Sequence, residues 1–379
     1  MGQIVQVKLV NHDTPSPSAN WFVDYDLPTE SIAQHAAEPR DAARLLVLDG
    51  NTLHHQRIRD LPHWLVPGDL LIFNDTKVLP ARLLGTREGT GGAFEMLFVR
   101  QTTDGLWEVM AQTGGKPGPG TRFLAKAPQN GPQVGQPEDS TLALTLVRRG
   151  ERRRWLVRPE LDEDFADLLN RFGHLPLPPY IRSGREEPGD RQRYQTLWAG
   201  PPGSVAAPTA GLHFTQELLD RIGQMGVDMA RVTLHVGPGT FQTIQGDPAA
   251  HEVEPEWGEV SMVVAQKIID CKKRGGRIFA IGTTTTRVLE TASKNWGKAI
   301  GPWEGEADLT IRPGHTFRVV QGLLTNFHLP RSGLLLLTQA LTGSKRLVLA
   351  YGEAVRLGYR FYSYGDAMLI LPTTAHPKY

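Results

Sequence analysis

His213 stands in the stretch APTAGLHFT, residues 207–215, where proline, threonine and glycine mark a loop and an amphipathic pattern follows. A helix start offers unpaired N–H groups and positive potential. An imidazole there titrates near neutrality and can act as acid or base. The competing reading is a packed histidine bonded to a backbone carbonyl. His328 in TNFHLPRSG, residues 325–333, ends another strand-like run and precedes Leu329-Pro330, which disfavours a mid-helix position. Its neighbour Asn326 offers a donor and an acceptor, as reading a purine edge requires. In IGTTTTR, residues 281–287, four hydroxyls and Arg287 open a helix and suit a carboxylate or phosphate; the alternative is a threonine-capped helix with a surface arginine. The P-loop spacing is absent. VTLHVGPGTF, residues 232–241, runs a strand into a Gly-Pro-Gly loop, the place where α/β sheets hold ligands or simply turn. HEVEPE, residues 251–256, matches no zincin pattern and reads as a solvated face.

Two basic segments suit RNA. The run from Arg148 to Arg154, with Arg152 and Arg153 at its middle, can tip a hairpin and grip phosphates, or be a soluble turn. IRSGREEPGDRQRYQTLW, residues 181–198, mixes Arg182 with Tyr194 and Trp198 as an RNA-facing loop does, though acidic neighbours dilute it.

These segments need a frame. Met1 to Val10 alternates like a strand, and residues 21–50 suggest a short helix and a strand at Leu45 to Leu48. From about Pro67 to Arg158, short apolar runs alternate with glycine and proline turns, beginning with Leu70 to Phe73, as in a small antiparallel barrel or sandwich. After Pro159, strands and helices alternate. Thr215 is a fitting N-cap for a helix bearing Leu218, Leu219, Ile222 and Met225 on one face, and Gly226 a fitting stop. A helix is expected from about Glu259 to Lys273, a strand at Arg277 to Ile281, and further strands at Leu309 to Ile311 and Leu323 to Phe327. Helices near Leu334 to Leu341 and Arg346 to Leu357 and a strand at Ala367 to Leu371 close the pattern. The expected division is a discontinuous α/β domain over 1–64 and 159–379, interrupted by an antiparallel β-barrel over 65–158.

At 379 residues the chain is long enough for two domains and a sizeable core. With 40% hydrophobic residues, 21% charged and a net charge of +1, it reads as globular and carries no global signal for nucleic acid. The single cysteine, Cys271, excludes a disulfide framework and a cysteine zinc site within one chain. Apolar runs such as Leu334 to Leu337 are far below the ~20 residues of a membrane helix. No secretory pattern opens the sequence, so a cytoplasmic protein is expected.

Seven segments occur in an order that identifies a family: YDLPTESIAQHAAEPRDAARLLVLD, PGDLLIFNDTKVLPARL, GSVAAPTAGLHFT, TLHVGPGTF, GTTTTRVLE, LLTNFHLPRSGLLLL and YRFYSYGDAMLIL. From about Trp21 to Leu371 the chain closely resembles the S-adenosylmethionine:tRNA ribosyltransferase-isomerases of queuosine biosynthesis. The resemblance implies a partial α/β barrel with a small inserted β-barrel. It implies transfer of the ribosyl part of S-adenosylmethionine to 7-aminomethyl-7-deazaguanine in a tRNA anticodon, with release of adenine and methionine. S-adenosylmethionine is then a co-substrate, tRNA the partner, and a monomer without metal or membrane the expectation.

That chemistry explains the residue types. A sulfonium acidifies the adjacent 5′ C–H, and His213, then His328, are the candidate bases. Asp366 or Asn326 would hydrogen-bond the departing adenine. Thr283, Thr284 and Arg287 would hold the methionine carboxylate, with Thr209, Gly211 and Phe214 beside the co-substrate. Asp75 and Arg82 would hold ribose hydroxyls or an anticodon phosphate. Two positions depart from the family pattern: Glu254, where a second histidine is expected, and Pro238, where a small or aliphatic residue is usual. Two rival functions are a metal-dependent hydrolase using His213, His235, His251, Glu256 and His328, and a non-catalytic RNA-binding protein.

Overall fold

Leu70–Asn74 is buried at every position, and that burial follows from where it lies, in the middle of a large sheet with parallel neighbours on both sides. The computed structural model describes residues 7–10, 22–128, 141–151, 154–241, 243–296 and 300–372. The chain divides into two units. One comprises Met1–Thr76, Thr196–Pro201 and Pro208–Tyr379, the other Lys77–Gln195 and Pro202–Ala207.

In the first unit, nine strands among the described residues form one mixed sheet. Its order is Trp303–Ala307, Glu256–Val260, Asp228–Leu234, Leu70–Asn74, Ile278–Ile281, Gly322–Asn326, Ala367–Ile370, Arg44–Asp49, Thr52–Arg57. The four strands from Asp228–Leu234 to Gly322–Asn326 run parallel, so their carboxyl ends gather along one edge of the sheet. In open α/β sheets that edge is where ligands sit. Helices Gln216–Gln224, Met262–Lys273 and Thr283–Asn295 connect these strands. Thr215 caps the first, accepting from the Leu218 amide at 3.2 Å. Phe73, Phe214 and Trp198 meet edge to face in the core beneath the sheet.

The second unit is built on six antiparallel strands that close into a barrel among the described residues: Arg82–Arg87, Ala93–Gln101, Trp107–Thr113, Arg154–Pro159, Thr141–Arg149 and Arg122–Lys126. Period-two alternation fills it. Phe94, Met96 and Phe98 point inward from one strand, and Leu142, Leu144 and Leu146 from another.

The expected α/β domain interrupted by an antiparallel barrel is what the chain forms, with local differences. Leu70–Asn74, expected inside the insertion, belongs to the large sheet; its unbroken apolar run suits burial on both faces, whereas barrel strands alternate. Helix Phe165–Phe172 joins the barrel core, so the second unit runs past residue 158. Residues 29–31 and 40–42 are single 3₁₀ turns rather than a helix. The helix expected from Glu259 begins at Met262 behind the cap Ser261, and Glu256–Val260 is a strand whose alternate residues are buried. The strand expected at Leu309 to Ile311 lies earlier, at Trp303–Ala307, where it pairs with Glu256–Val260. Of the expected N-terminal strand, Val7–Val10 is described, paired with Phe22–Tyr25. Among the described residues no helix is long and apolar enough to cross a membrane.

Asn74 ties the parallel strand ends together. Its amide nitrogen donates to the Leu234 carbonyl at 2.9 Å, and its amide oxygen accepts from the Leu234 and Thr76 N–H groups, each at 3.1 Å. Asn74→Ala leaves these buried groups unpaired, and urea denaturation should show a loss of about 2–4 kcal/mol.

Candidate active site

The carboxyl edge of the parallel strands collects most of the residues marked by the sequence. Thr209–His213 forms a 3₁₀ turn whose last four residues are buried. A Cβ on Gly211 would lie 2.8 Å from the Thr196 methyl and 3.0 Å from the Trp198 ring, so only glycine lets this turn sit so close. The turn presents His213 to Asn326 at the end of its strand. The Asn326 amide nitrogen donates to the Tyr362 carbonyl at 3.1 Å and lies 3.2 Å from His213 Nε2. Its oxygen accepts from the Thr209 hydroxyl at 3.0 Å. The bond to a carbonyl identifies the amide nitrogen, so Nε2 of His213 must accept, and the ring is the neutral Nδ1–H tautomer. Burial holds His213 down at about 4; the Asp366 carboxylate opposes that, while Arg360 and Arg40 reinforce it.

His328 is equally buried. Its Nε2 lies 2.7 Å from the Thr325 hydroxyl, its N–H donates to the Tyr351 hydroxyl at 3.0 Å, and its carbonyl accepts from Tyr25. Burial takes its imidazole down to about 3. Asp366 is 1% exposed and both its oxygens are engaged. One accepts from the Arg44 N–H at 2.9 Å, the other from Arg44 Nε at 3.0 Å and the Arg360 N–H at 2.8 Å. These bonds already occupy the oxygens that would meet adenine. Phe214 lies wholly in the aromatic core.

Next along the edge, Gly282 adopts φ 97°, a conformation glycine allows, and opens helix Thr283–Asn295 without a side-chain cap. Thr285 and Thr286 bond back to the Ile281 and Gly282 carbonyls, at 2.8 and 3.2 Å. The Thr284 hydroxyl accepts from Asn74 at 3.3 Å. Arg287, expected to meet a carboxylate ligand, is already paired: it donates to Glu256 at 2.7 Å and to the Glu254 and Ala307 carbonyls. Burial raises Glu256 against the pull of Arg287. The HEVEPE segment is a solvated face only in part: Glu252 and Pro255 are exposed, but Glu256 is buried, begins a sheet strand, and its carboxylate also accepts from the Gly237 N–H at 2.6 Å.

Two further groups lie on this edge. His235 stacks on Trp257 at 5.0 Å, its Nδ1 is 2.8 Å from the Thr76 hydroxyl, and burial lowers it to about 4. Asp75 accepts from the Thr233 hydroxyl at 2.7 Å and is raised by burial. Among the described residues no three His, Cys, Asp or Glu side chains are grouped to hold a metal ion, so the hydrolase set is not assembled.

The chain matches the family described as queuosine biosynthesis protein over residues 22–370. It belongs to that family. A protein from Thermus thermophilus named S-adenosylmethionine:tRNA ribosyltransferase-isomerase is 48% identical over 351 residues, 92% of this chain and 98% of that one. One of the same name from Symbiobacterium thermophilum is 46% identical over 351 residues, with the same coverage. The crystal structure of S-adenosylmethionine tRNA ribosyltransferase from Thermotoga maritima is similar, with a TM-score of 0.51 and 33% identity over 92% of this chain and 99% of that one.

Within this family member, the residues expected to face RNA are largely occupied. Arg82 forms a two-pronged pair with Glu95 at 2.8 and 2.9 Å and donates to the Gly184 carbonyl at 2.6 Å. Arg182 pairs with Asp190, and its Nε is 3.3 Å from Glu187. Tyr194 is 0% exposed, a core residue rather than a stacking platform. The acidic neighbours in its own segment absorb the arginines. Arg152 and Arg153 lie outside the described residues. Sequence reasoning missed Asn74 and Arg44. The signal for Asn74 is an amide that closes an otherwise apolar run.

Two outcomes follow from this geometry. Asp366→Ala removes the carboxylate that accepts from Arg44 and from the Arg360 N–H, and urea denaturation should show a loss of roughly 2–4 kcal/mol, against almost none for an unpaired acid. The lowered histidines bind protons only when unfolded, so their stabilisation is complete above about pH 6.5 and lost as pH falls through about 4 for His213 and about 3 for His328. Imidazole NMR should show both rings neutral at pH 6, and His213→Gln should flatten the loss of stability between pH 6.5 and 4.

Proposed function

We propose that this chain transfers and isomerises the ribosyl group of S-adenosylmethionine onto 7-aminomethyl-7-deazaguanine in tRNA, leaving epoxyqueuosine and releasing adenine and methionine. The names of relatives 48% and 46% identical to this chain support the reaction class. The observation that carries the site is the buried network of Thr209, Asn326 and His213 at the strand ends.

The first step needs a neutral base near an acidified C–H. His213 is neutral at pH 7, and its Nε2 lone pair is the acceptor. Taking the 5′ proton onto Nε2 breaks the contact with Asn326. The freed Asn326 N–H is then available to a ring nitrogen of the departing adenine, so one movement serves both steps. Asp366 raises the basicity of His213 through its field and fixes Arg44 and Arg360; contact with adenine falls to Asn326. His328, held by Thr325, Tyr25 and Tyr351, positions the Asn326 strand end. The open first turn at Thr283 and Thr284 receives the methionine carboxylate, and Arg287 supports it from behind through Glu256. Asp75 is the remaining candidate for a ribose hydroxyl. Arg82, Arg182 and Tyr194 shape the second unit rather than gripping RNA.

Purified protein with S-adenosylmethionine should release adenine and methionine only when tRNA bearing the aminomethyl base is added. His213→Gln should lower turnover by at least about 100-fold, the scale of general-base catalysis, with cooperative unfolding retained. Wild-type turnover in that variant would remove His213 from the chemistry.

A further inference from the structure

The basic run from Arg148 to Arg154 turns a hairpin. Strands Thr141–Arg149 and Arg154–Pro159 pair, and the Gly150 N–H donates to the Arg154 carbonyl at 2.8 Å. A register shift between Leu146 and Arg148 puts Arg149 opposite Trp155. The Arg149 guanidinium lies over that buried indole, 5.0 Å from the ring centroid, and its Nη2 donates to the Pro117 carbonyl at 3.1 Å. Arg154 pairs with Glu108 at 3.2 Å. Arg149 is exposed and meets no carboxylate among the described residues.

Arg149, Trp155 and Pro117 line a concavity on the barrel together with Gln112, Thr113 and Lys116. Among the described residues no carboxylate stands in its walls. Lys116 and Gln112 are exposed, and their side chains have no partner among the described residues. Another concavity of the same unit, beside Arg82 and Arg185, carries Glu186 and Glu187. The hairpin concavity is therefore basic without compensation, whereas the other is mixed.

We propose that this concavity docks an unstacked nucleotide of the tRNA substrate, with its base on the Arg149 guanidinium and a phosphate at Lys116. The proposal rests on the function given above and deepens it by naming a surface for the RNA. A planar guanidinium stacks a base of any identity, and this one is already ordered by an indole and a carbonyl, so less freedom is lost on binding. Lys116 supplies the charge a phosphate needs. Gln112 offers an amide donor and acceptor to a base edge. A solvated turn explains a basic hairpin tip, but it needs no arginine pinned from two sides above a buried ring.

The test measures binding of an unmodified tRNA transcript to the full chain. A Lys116→Ala, Arg149→Ala double variant should bind about tenfold or more weakly at about 0.15 M salt, and the slope of log Kd against log salt should fall by about 1–2. Arg149→Lys keeps the charge but loses the flat stack, so it should weaken binding about fivefold or more with the salt slope retained. Lys345→Ala removes one exposed charge from a helix of the other unit and should stay within about twofold. In turnover, KM for tRNA should rise with Kd, while kcat and KM for S-adenosylmethionine stay within about twofold. Wild-type affinity in the double variant or in Arg149→Lys would overturn the assignment, as would an equal loss in Lys345→Ala. Adenine release that persists in that case leaves the function standing. Variant-sensitive tRNA binding with no adenine release from the wild type would support the concavity and remove the function.

Discussion

Asn74 carries the pairing of two parallel strands one step past the point where backbone alone would pair them. Its side chain offers a donor and an acceptor at the spacing of a peptide group, and Leu234 uses both. A parallel pair that ended earlier would leave the Leu234 N–H and C=O buried and unsatisfied. Because the amide is fixed, the residues after each strand are fixed too. Thr76 follows Asn74 and reaches His235, which follows Leu234. The remaining amide contact goes to Thr284 and ties the helix start to the same point. The candidate site inherits its geometry from this clasp.

A second amide works in the same way at the other end of the edge. Asn326 joins a strand end to the Thr209–His213 turn and to the Tyr362 carbonyl. Tyr362 holds a positive φ of 72°, uncommon for a residue with a side chain. That carbonyl is what orients the Asn326 amide, and the orientation in turn decides which ring nitrogen of His213 keeps its proton. The tautomer of the candidate base is set by backbone geometry, acting through one side-chain amide.

Much of this was legible in the sequence. Three of the four parallel strands, the cap at Thr215, the helix after Gly282 and the positions of His213, Asn326 and His328 at loops beside strand and helix ends follow from period, turn residues and spacing. Partnership was not legible. Arg287, Arg82 and Arg182 look like ligand-binding cations in a one-dimensional reading, yet each meets a carboxylate that the fold brings close. Glu256 lies 31 residues from Arg287 and Asp366 lies 322 from Arg44. No local pattern announces such pairs. Leu70–Asn74 was misplaced for a related reason: an apolar run of that length fits any fully covered strand, and only its partners say which sheet it joins.

The buried pair of Arg287 and Glu256 explains why a cationic residue stands beside a site read as anion-binding without serving the anion itself. Burial alone lowers the guanidinium and raises the carboxylate, so each is tolerable only with the other. Glu256 also accepts from Gly237, which fixes the loop after Val236, and Arg287 reaches the carbonyl of Glu254, just before strand Glu256–Val260, and that of Ala307 at the end of the neighbouring strand. The pair therefore binds three segments to the first turns of one helix. With the helix so held, its leading N–H groups keep a constant direction, and an anion can be recognised by oriented dipoles rather than by a mobile charge. The Arg287 charge is matched by Glu256, so the helix start presents its dipoles with that guanidinium already paired beside them.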